Sequence, residues 1–279
     1  MTSSGDDAEV GADVEEVTRR RAAQLFALLR GLLPRVGAVA ALVAAWWATT
    51  TIWDLPGYLL PPPGEVWTAL RDNVGFFLSH TQVTATEILL GLALAMGGAV
   101  AWALLIVSIP AVKKAVFPLM VAAQSAPKEA LAPIFIIWWG FSSLPKVMMA
   151  ALIAFFPMLV ATVVGLERFS DQQRLLVASM GTGPIRRFFS FRLWVAVPSF
   201  LSGVRLGVTL AAIGAVLGEY LGSDEGLGFL IVTSARRLNG GFLYGSLIAL
   251  MVMSWGMVRA VDVVETRLLR GTRAARSLL

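Results

Sequence analysis

Residues 88–112, ILLGLALAMGGAVAWALLIVSIPAV, carry no charged side chain. The hydrocarbon core of a bilayer is about 30 Å thick and is crossed by roughly 20 helical residues rising about 1.5 Å each. Further apolar windows of comparable length recur along the chain, separated by short polar stretches. In lipid every backbone N–H and C=O must be satisfied within the chain, which leaves a bundle of helices as the solution for segments of this length. Composition agrees: 57% of the 279 residues are hydrophobic and 15% charged, too apolar for a fully hydrated surface. The chain reads as an all-α, polytopic membrane protein.

Several function classes are excluded at once. There is no cysteine and only one histidine, His80, so disulfides, thiolate metal sites and H-E-x-x-H zinc sites are ruled out. Neither a G-x-x-x-x-G-K-[ST] phosphate loop nor a G-x-S-x-G nucleophile elbow occurs, and no catalytic residue or cofactor is assigned to this chain. The net charge of +5 comes from basic residues beside apolar spans and implies no nucleic-acid partner. Transport or scaffolding is the expectation.

Residues 1–14 are acidic and small, and read as a disordered tail. Residues 15–35 place Leu25, Leu28, Leu29 and Leu32 at helical spacing beside Arg19, Arg20, Arg21 and Arg30, the pattern of an amphipathic helix on a membrane surface with lipid as its partner. A first span and an external segment fill 36–82. A transport core covers 83–265, and 266–279 form a basic tail. Six spans are predicted, at 36–53, 83–109, 115–141, 144–166, 195–222 and 242–264. Lysine and arginine are about fourfold enriched on the side holding both termini, with Arg71, Lys146, Arg236 and Arg237 on the other; this excess predicts cytoplasmic termini. The external segment continues after a Pro-Pro-Pro break with a helical pattern at Val66, Leu70, Val74 and Phe77, and 222–241 has room for a short surface or re-entrant helix. No tandem repeat is visible, nor the inverted halves common among secondary transporters.

Three groups of residues stand out. In the fifth span Gly203, Gly207, Gly214 and Gly218 fall within about 60° of one another on a helix. They form a small-residue stripe suited to close approach by another helix, within one subunit or between two. On the opposite face lie Arg205 and Glu219, too far apart along the axis to pair; each either faces a cavity or snorkels to an interface. In the third span Lys128 and Glu129 sit between Pro127 and Pro133, where a broken helix lines a pathway or makes an interfacial kink. Lys128, Glu129 and Arg205 are the predicted pathway residues, with Glu87 a weaker one. Trp53, Trp138, Trp139 and Trp194 fall near span ends, as interfacial anchors do.

The segment 174–194, RLLVASMGTGPIRRFFSFRLW, interrupts the apolar pattern with two glycines, four arginines and three phenylalanines. Gly181 and Gly183 permit a sharp break and Pro184 suits the first turn of a new helix. Arg186, Arg187 and Arg192 favour the cytoplasmic side, and Phe188, Phe189 and Phe191 offer apolar area to a partner or to lipid. The segment resembles the cytoplasmic loop of binding-protein-dependent ABC importer permeases, with the pattern E-A-A, three residues, Gly, nine residues, Ile-x-Leu-Pro. Gly181, Phe191 and Leu193 occupy the glycine, isoleucine and leucine positions; Leu175, Leu176 and Val177 replace the triplet and Trp194 the proline.

Further blocks agree from about residue 60 to 265, including LPPPGEVWTAL, PKEALAPIFIIWWGF and GEYLGSDEGLGFLI. They are most similar to the subgroup for nitrate, sulfonate, taurine and thiamine precursors. The resemblance implies a type I importer permease fold with six membrane helices in the bacterial inner membrane. It implies a second permease copy, an external solute-binding protein and cytoplasmic ATP-binding subunits that hold the ATP and Mg. It also implies a coupling loop at about 168–194 that contacts the ATPase through Gly181, Gly183, Pro184, Arg186, Arg187, Phe188 and Phe191. The cargo class is a small solute, for which the basic pathway residues would suit an anion. From the residues alone, an ion-gradient-driven transporter or a channel without an ATPase is the rival.

Overall fold

The computed structural model describes residues 34, 36–169, 171–181, 183 and 191–276. They divide into two units, Met1–Glu65 and Val66–Leu279. In the first, helix α1 (Val36–Ile52) leads into a proline-rich turn, where the Trp46 indole N–H donates to the Pro61 carbonyl at 3.0 Å. The amides of Leu59 and Leu60 both reach back to the Pro56 carbonyl. Helix α2 (Pro63–Asp72) starts with proline in its first turn, where the missing N–H has no intrahelical partner to lose.

The second unit is built on three long helices, α3 (Val74–Ser108), α6 (Ser143–Glu167) and α8 (Leu193–Gly222). Between α3 and α6 lie α4 (Pro110–Ala123), a tight 3₁₀ turn (Lys128–Leu131) and α5 (Ala132–Trp139). After α6 come α7 (Asp171–Ser179), and after α8 a short α9 (Leu227–Arg236) and the long α10 (Gly240–Arg276). Among the described residues four helices, α3, α6, α8 and α10, are long and apolar enough to cross a membrane, and α1 is a shorter apolar helix.

Alanine and glycine let the three central helices pack closely. The α3 face is Ile88, Leu92, Ala95, Ala99, Ala103 and Ile106, meeting Ala150, Ala154, Met158 and Val163 of α6 and Val204, Val208, Ala211 and Ala215 of α8. The glycine stripe of α8 lies against α6. A Cβ built on Gly203 would stand 2.7 Å from the Ala161 Cβ, one on Gly214 2.6 Å from the Met149 carbonyl oxygen, and one on Gly218 2.8 Å from the Lys146 Cα. Gly207 faces the Met158 side chain in the same way, and Gly91 of α3 the Ala150 methyl. Helices in lipid gain little from hydrophobic exclusion, so contact between backbones supplies much of the attraction.

The structure departs from the expected spans at three places. The segment 115–141 is not one helix: it divides into α4, the 3₁₀ turn and α5. Pro127 precedes the turn and Pro133 opens α5, and each removes a backbone donor. The external segment 36–82 is interrupted at Asn73, and α3 begins at Val74 rather than near 83, so Val66 and Leu70 belong to one helix and Val74 and Phe77 to the next. The last helix passes the expected end at 264 and runs through the basic stretch to Arg276. The acidic tail at 1–14 lies outside the described residues, as does the amphipathic segment at 15–35 apart from Pro34.

Candidate functional site

The interruption between α6 and α8 is the first element of the site. At the end of α6 the Lys113 ammonium of α4 meets Glu167 Oε1 at 2.6 Å. Helix α7 turns its Val177 inward and is followed by Gly181 with φ of +71°, a left-handed conformation that glycine adopts without a Cβ penalty. Gly183 is exposed. Pro184, Arg186, Arg187 and Phe188 lie outside the described residues; Phe191, half-buried, opens an irregular turn into α8. There the Arg192 Nε donates to the Leu166 carbonyl at 2.9 Å, tying the start of α8 to the end of α6.

The exposed side chains next to the break are apolar. Leu175, Leu176 and Met180 are 72%, 65% and 65% accessible, and the first two stand where the resembling permeases have Glu and Ala. The sequence assigns the apolar contact to Phe188, Phe189 and Phe191 and no role to Leu175 and Leu176. The available signal was two adjacent leucines on a short helix of low overall hydrophobicity.

The expected pathway residues do not form one cluster. Arg205 on α8 is clamped by two carboxylates of α10, Asp262 Oδ1 at 2.6 Å and Glu265 Oε2 at 2.5 Å. The Lys128 ammonium caps the Gln124 carbonyl at 3.2 Å and lies 5.4 Å from the Phe156 ring centroid; Glu129 is exposed. Between them runs an open cleft of about 460 Å³, whose lining includes Gln124, Pro157, Ala161, Pro198, Ser202 and Glu265. Lys128 and Arg205 thus border the cleft through their partners Gln124 and Glu265, and Arg205 already has its charge matched.

The most tightly organised polar group sits at the opposite end of α8 from the interruption. His80, Thr84 and Glu87 follow at spacings of four and three, on one face of α3. Glu219 of α8 is 1% accessible; its Oε1 accepts from the Thr84 hydroxyl at 2.6 Å and its Oε2 from the Gly228 amide at 2.5 Å. The Leu227 amide donates to the Thr84 hydroxyl at 2.8 Å and the Gly226 amide to His80 Nδ1 at 2.9 Å. Three of the first amides of α9 are therefore satisfied by side chains of α3 and α8, and the carboxylate stands at the positive end of the α9 dipole. Gly226 has φ of +106° and, like Gly228, no space for a Cβ beside the Glu219 carboxyl.

Lys146, in the first turn of α6, completes the group. Its ammonium donates to Ser223 Oγ at 2.7 Å and stands 3.2 Å from Glu87 Oε1. Of the two alternatives left open for Glu219, snorkelling to an interface is excluded by its burial, and Lys146, assigned to the external side, is itself only 7% accessible. A charge so buried persists only with a partner, and single-residue reasoning has no view of a partner more than fifty positions away. Together these groups lock α9 onto the helices beside it.

Four helices long and apolar enough to cross a membrane, with exposed Leu175, Leu176 and Met180 at one end of the bundle and a polar clamp at the other, describe a polytopic membrane protein. Comparison with known proteins agrees. Residues 88–274 match the family described as "Binding-protein-dependent transport system inner membrane component". A probable ABC transporter permease protein of Haemophilus influenzae is 33% identical over 224 residues, covering 80% of this chain and 91% of that protein. The formylaminopyrimidine transport permease protein ThiX of Halalkalibacterium halodurans is 34% identical over 225 residues, 78% and 90% of the two chains. The riboflavin transport system permease protein RibX of Chloroflexus aurantiacus is 30% identical over 235 residues, 82% and 86%. The chain belongs to the binding-protein-dependent transport permeases: it is the membrane component of an ABC importer of small solutes, a family that works with ATPase and solute-binding partners.

Proposed function

We propose that this chain forms the translocation pathway as a homodimer in the bacterial inner membrane, with both termini cytoplasmic. On this reading a cytoplasmic ATPase docks on α7 and the residues that follow it. The observation that carries the reading is the exposed Leu175–Leu176–Met180 surface directly before the Gly181 break. Isolated apolar side chains on a membrane protein face lipid, but α7 is too short to span and its neighbours are polar. In sequence this apolar anchor is followed by Gly183, Pro184, Arg186, Arg187, Phe188 and Phe191, an aromatic and arginine-rich composition that suits a protein partner. ATP and Mg would be held by that partner, and this chain would contribute mechanical coupling: docked ATPases bias the permease toward one state only by binding that state better.

For the cargo we favour a small heteroaromatic solute of the thiamine-precursor class. The two relatives with a named cargo given above are named for a formylaminopyrimidine and for riboflavin. Arg205, the cation that would have favoured an anion, is engaged by Asp262 and Glu265. Lys128, Glu129 and Arg205 border the route in this reading, and Arg205 acts as a latch between α8 and α10.

The test is uptake of radiolabelled formylaminopyrimidine by cells expressing the chain with its cognate ATPase and binding protein, alongside co-purification of the ATPase. Gly181→Pro, or charge reversal at Arg186 and Arg187, should abolish both uptake and ATPase capture while membrane insertion persists. Uptake driven by an ion gradient without any ATPase would overturn the reading.

A further inference from the structure

We propose that the groove between α2, the start of α3 and α10 binds one acyl chain of an anionic phospholipid, with Arg71 holding the lipid phosphate. The groove has a volume of about 530 Å³ and is walled by Leu70, Phe77, Leu78, Ile248, Val252 and Met253, within the range of roughly 300–1,000 Å³ typical of ligand sites. The Thr81 hydroxyl, a polar group in its lining, is committed to the Phe77 carbonyl at 2.7 Å. Such a lining suits hydrocarbon and nothing hydrated.

Its mouth differs from its interior. Arg71 stands in the last turn of α2, exposed and with no carboxylate partner among the described residues. Trp67, one turn earlier, is 65% accessible. A guanidinium beside an indole is the pairing that membrane proteins carry at headgroup level. The direction is also right. A Cβ on Gly245 would lie 3.0 Å from the Phe77 ring and 3.4 Å from Leu70, so the start of α10 is at the same end as Arg71. From Gly245, Ile248 and Met253 then lie about 5 and 12 Å down the α10 axis at 1.5 Å per residue. A phosphate at Arg71 therefore sends its chain down the groove into the hydrocarbon depth. The charge of Arg71 selects an anionic headgroup over a zwitterionic one, whose own ammonium competes for the phosphate.

The full chain would be reconstituted in nanodiscs with phosphatidylglycerol bearing a photoactivatable diazirine on one acyl chain, and the adducts mapped by mass spectrometry. The expected adducts fall on 77–81 and 248–253, exceeding those from the matching phosphatidylcholine probe by about fivefold, the effect of one basic residue near an anionic lipid. Arg71→Ala should remove that preference without changing the thermal midpoint, Arg71→Lys should restore most of it, and Val252→Trp should abolish labelling of 77–81. Equal labelling by both lipids, or labelling unchanged in Arg71→Ala, would overturn the proposal. So would efficient dimer cross-linking through Thr81→Cys, a unique thiol in this chain, because it would assign the groove to a second copy.

Discussion

Glu219 on α8 and Gly228 on α9 are joined side chain to backbone, the Gly228 amide donating to a carboxylate oxygen at 2.5 Å. Because the same carboxylate takes the Thr84 hydroxyl of α3, one side chain fixes three helices. Replacing it with alanine orphans the Gly228 amide and cuts the Thr84 bond. At about 1–3 kcal/mol for each buried polar group left unpaired, Glu219→Ala should lower the thermal midpoint and expose α9 to protease. An unchanged proteolysis pattern at 227–236 would refute this role.

The Lys146–Glu87 pair gives a sharper test. Side-chain accessibilities of 8% and 3% mean that removing one partner strands the other charge, at about 3–5 kcal/mol. Lys146→Met alone should therefore be strongly destabilising. Lys146→Met with Glu87→Leu removes the cation and one carboxylate but leaves the buried Glu219 carboxylate beside them, so it should recover only part of the loss. The readout is folded yield in detergent by size-exclusion chromatography; a double variant as poor as the single one would show that the pair is not the cause.

Gly214 tolerates no side chain where its Cβ would meet the Met149 carbonyl at 2.6 Å. Gly214→Val should prise α6 from α8 and cost about 1–3 kcal/mol or more. Gly64, with nothing within 4 Å of a built Cβ, serves as the control: Gly64→Ala should leave stability unchanged. Comparable thermal midpoints for the two variants would contradict the close helix contact.

At the coupling end, Leu175→Asp and Leu176→Asp should weaken ATPase capture by tenfold or more, the effect of losing one hot-spot residue of about 2 kcal/mol. Both side chains are exposed, so the isolated permease should keep its wild-type stability. Pull-down of the ATPase at graded concentrations measures the effect, and unaltered capture would point to the residues after Gly181 instead.

The Arg205 latch predicts a charge-swap result. Arg205→Glu breaks contact with Asp262 and Glu265 and should depress uptake. Adding Asp262→Arg and Glu265→Arg restores opposite charges across α8 and α10 and should recover part of it. Uptake untouched by the single change would mean that the latch has no part in transport.

Helix content and the spans of α6 and α8 were readable directly, because an uncharged window long enough to cross hydrocarbon has few other outcomes. The break at Gly181 was legible too, through its glycines and the charge change around it, as was the small-residue stripe of α8. The partner of that stripe was not: Gly203 and Gly214 fit a contact within a subunit or between two, and only three-dimensional packing put Ala161 and Met149 opposite them. The buried charges were the least legible. Glu87, Lys146 and Glu219 are distant in sequence, and none of them alone reveals that the other two lie beside it. Periodicity reports which face of a helix is apolar, whereas compensation of a buried charge depends on which faces meet, and that is a property of the assembled bundle.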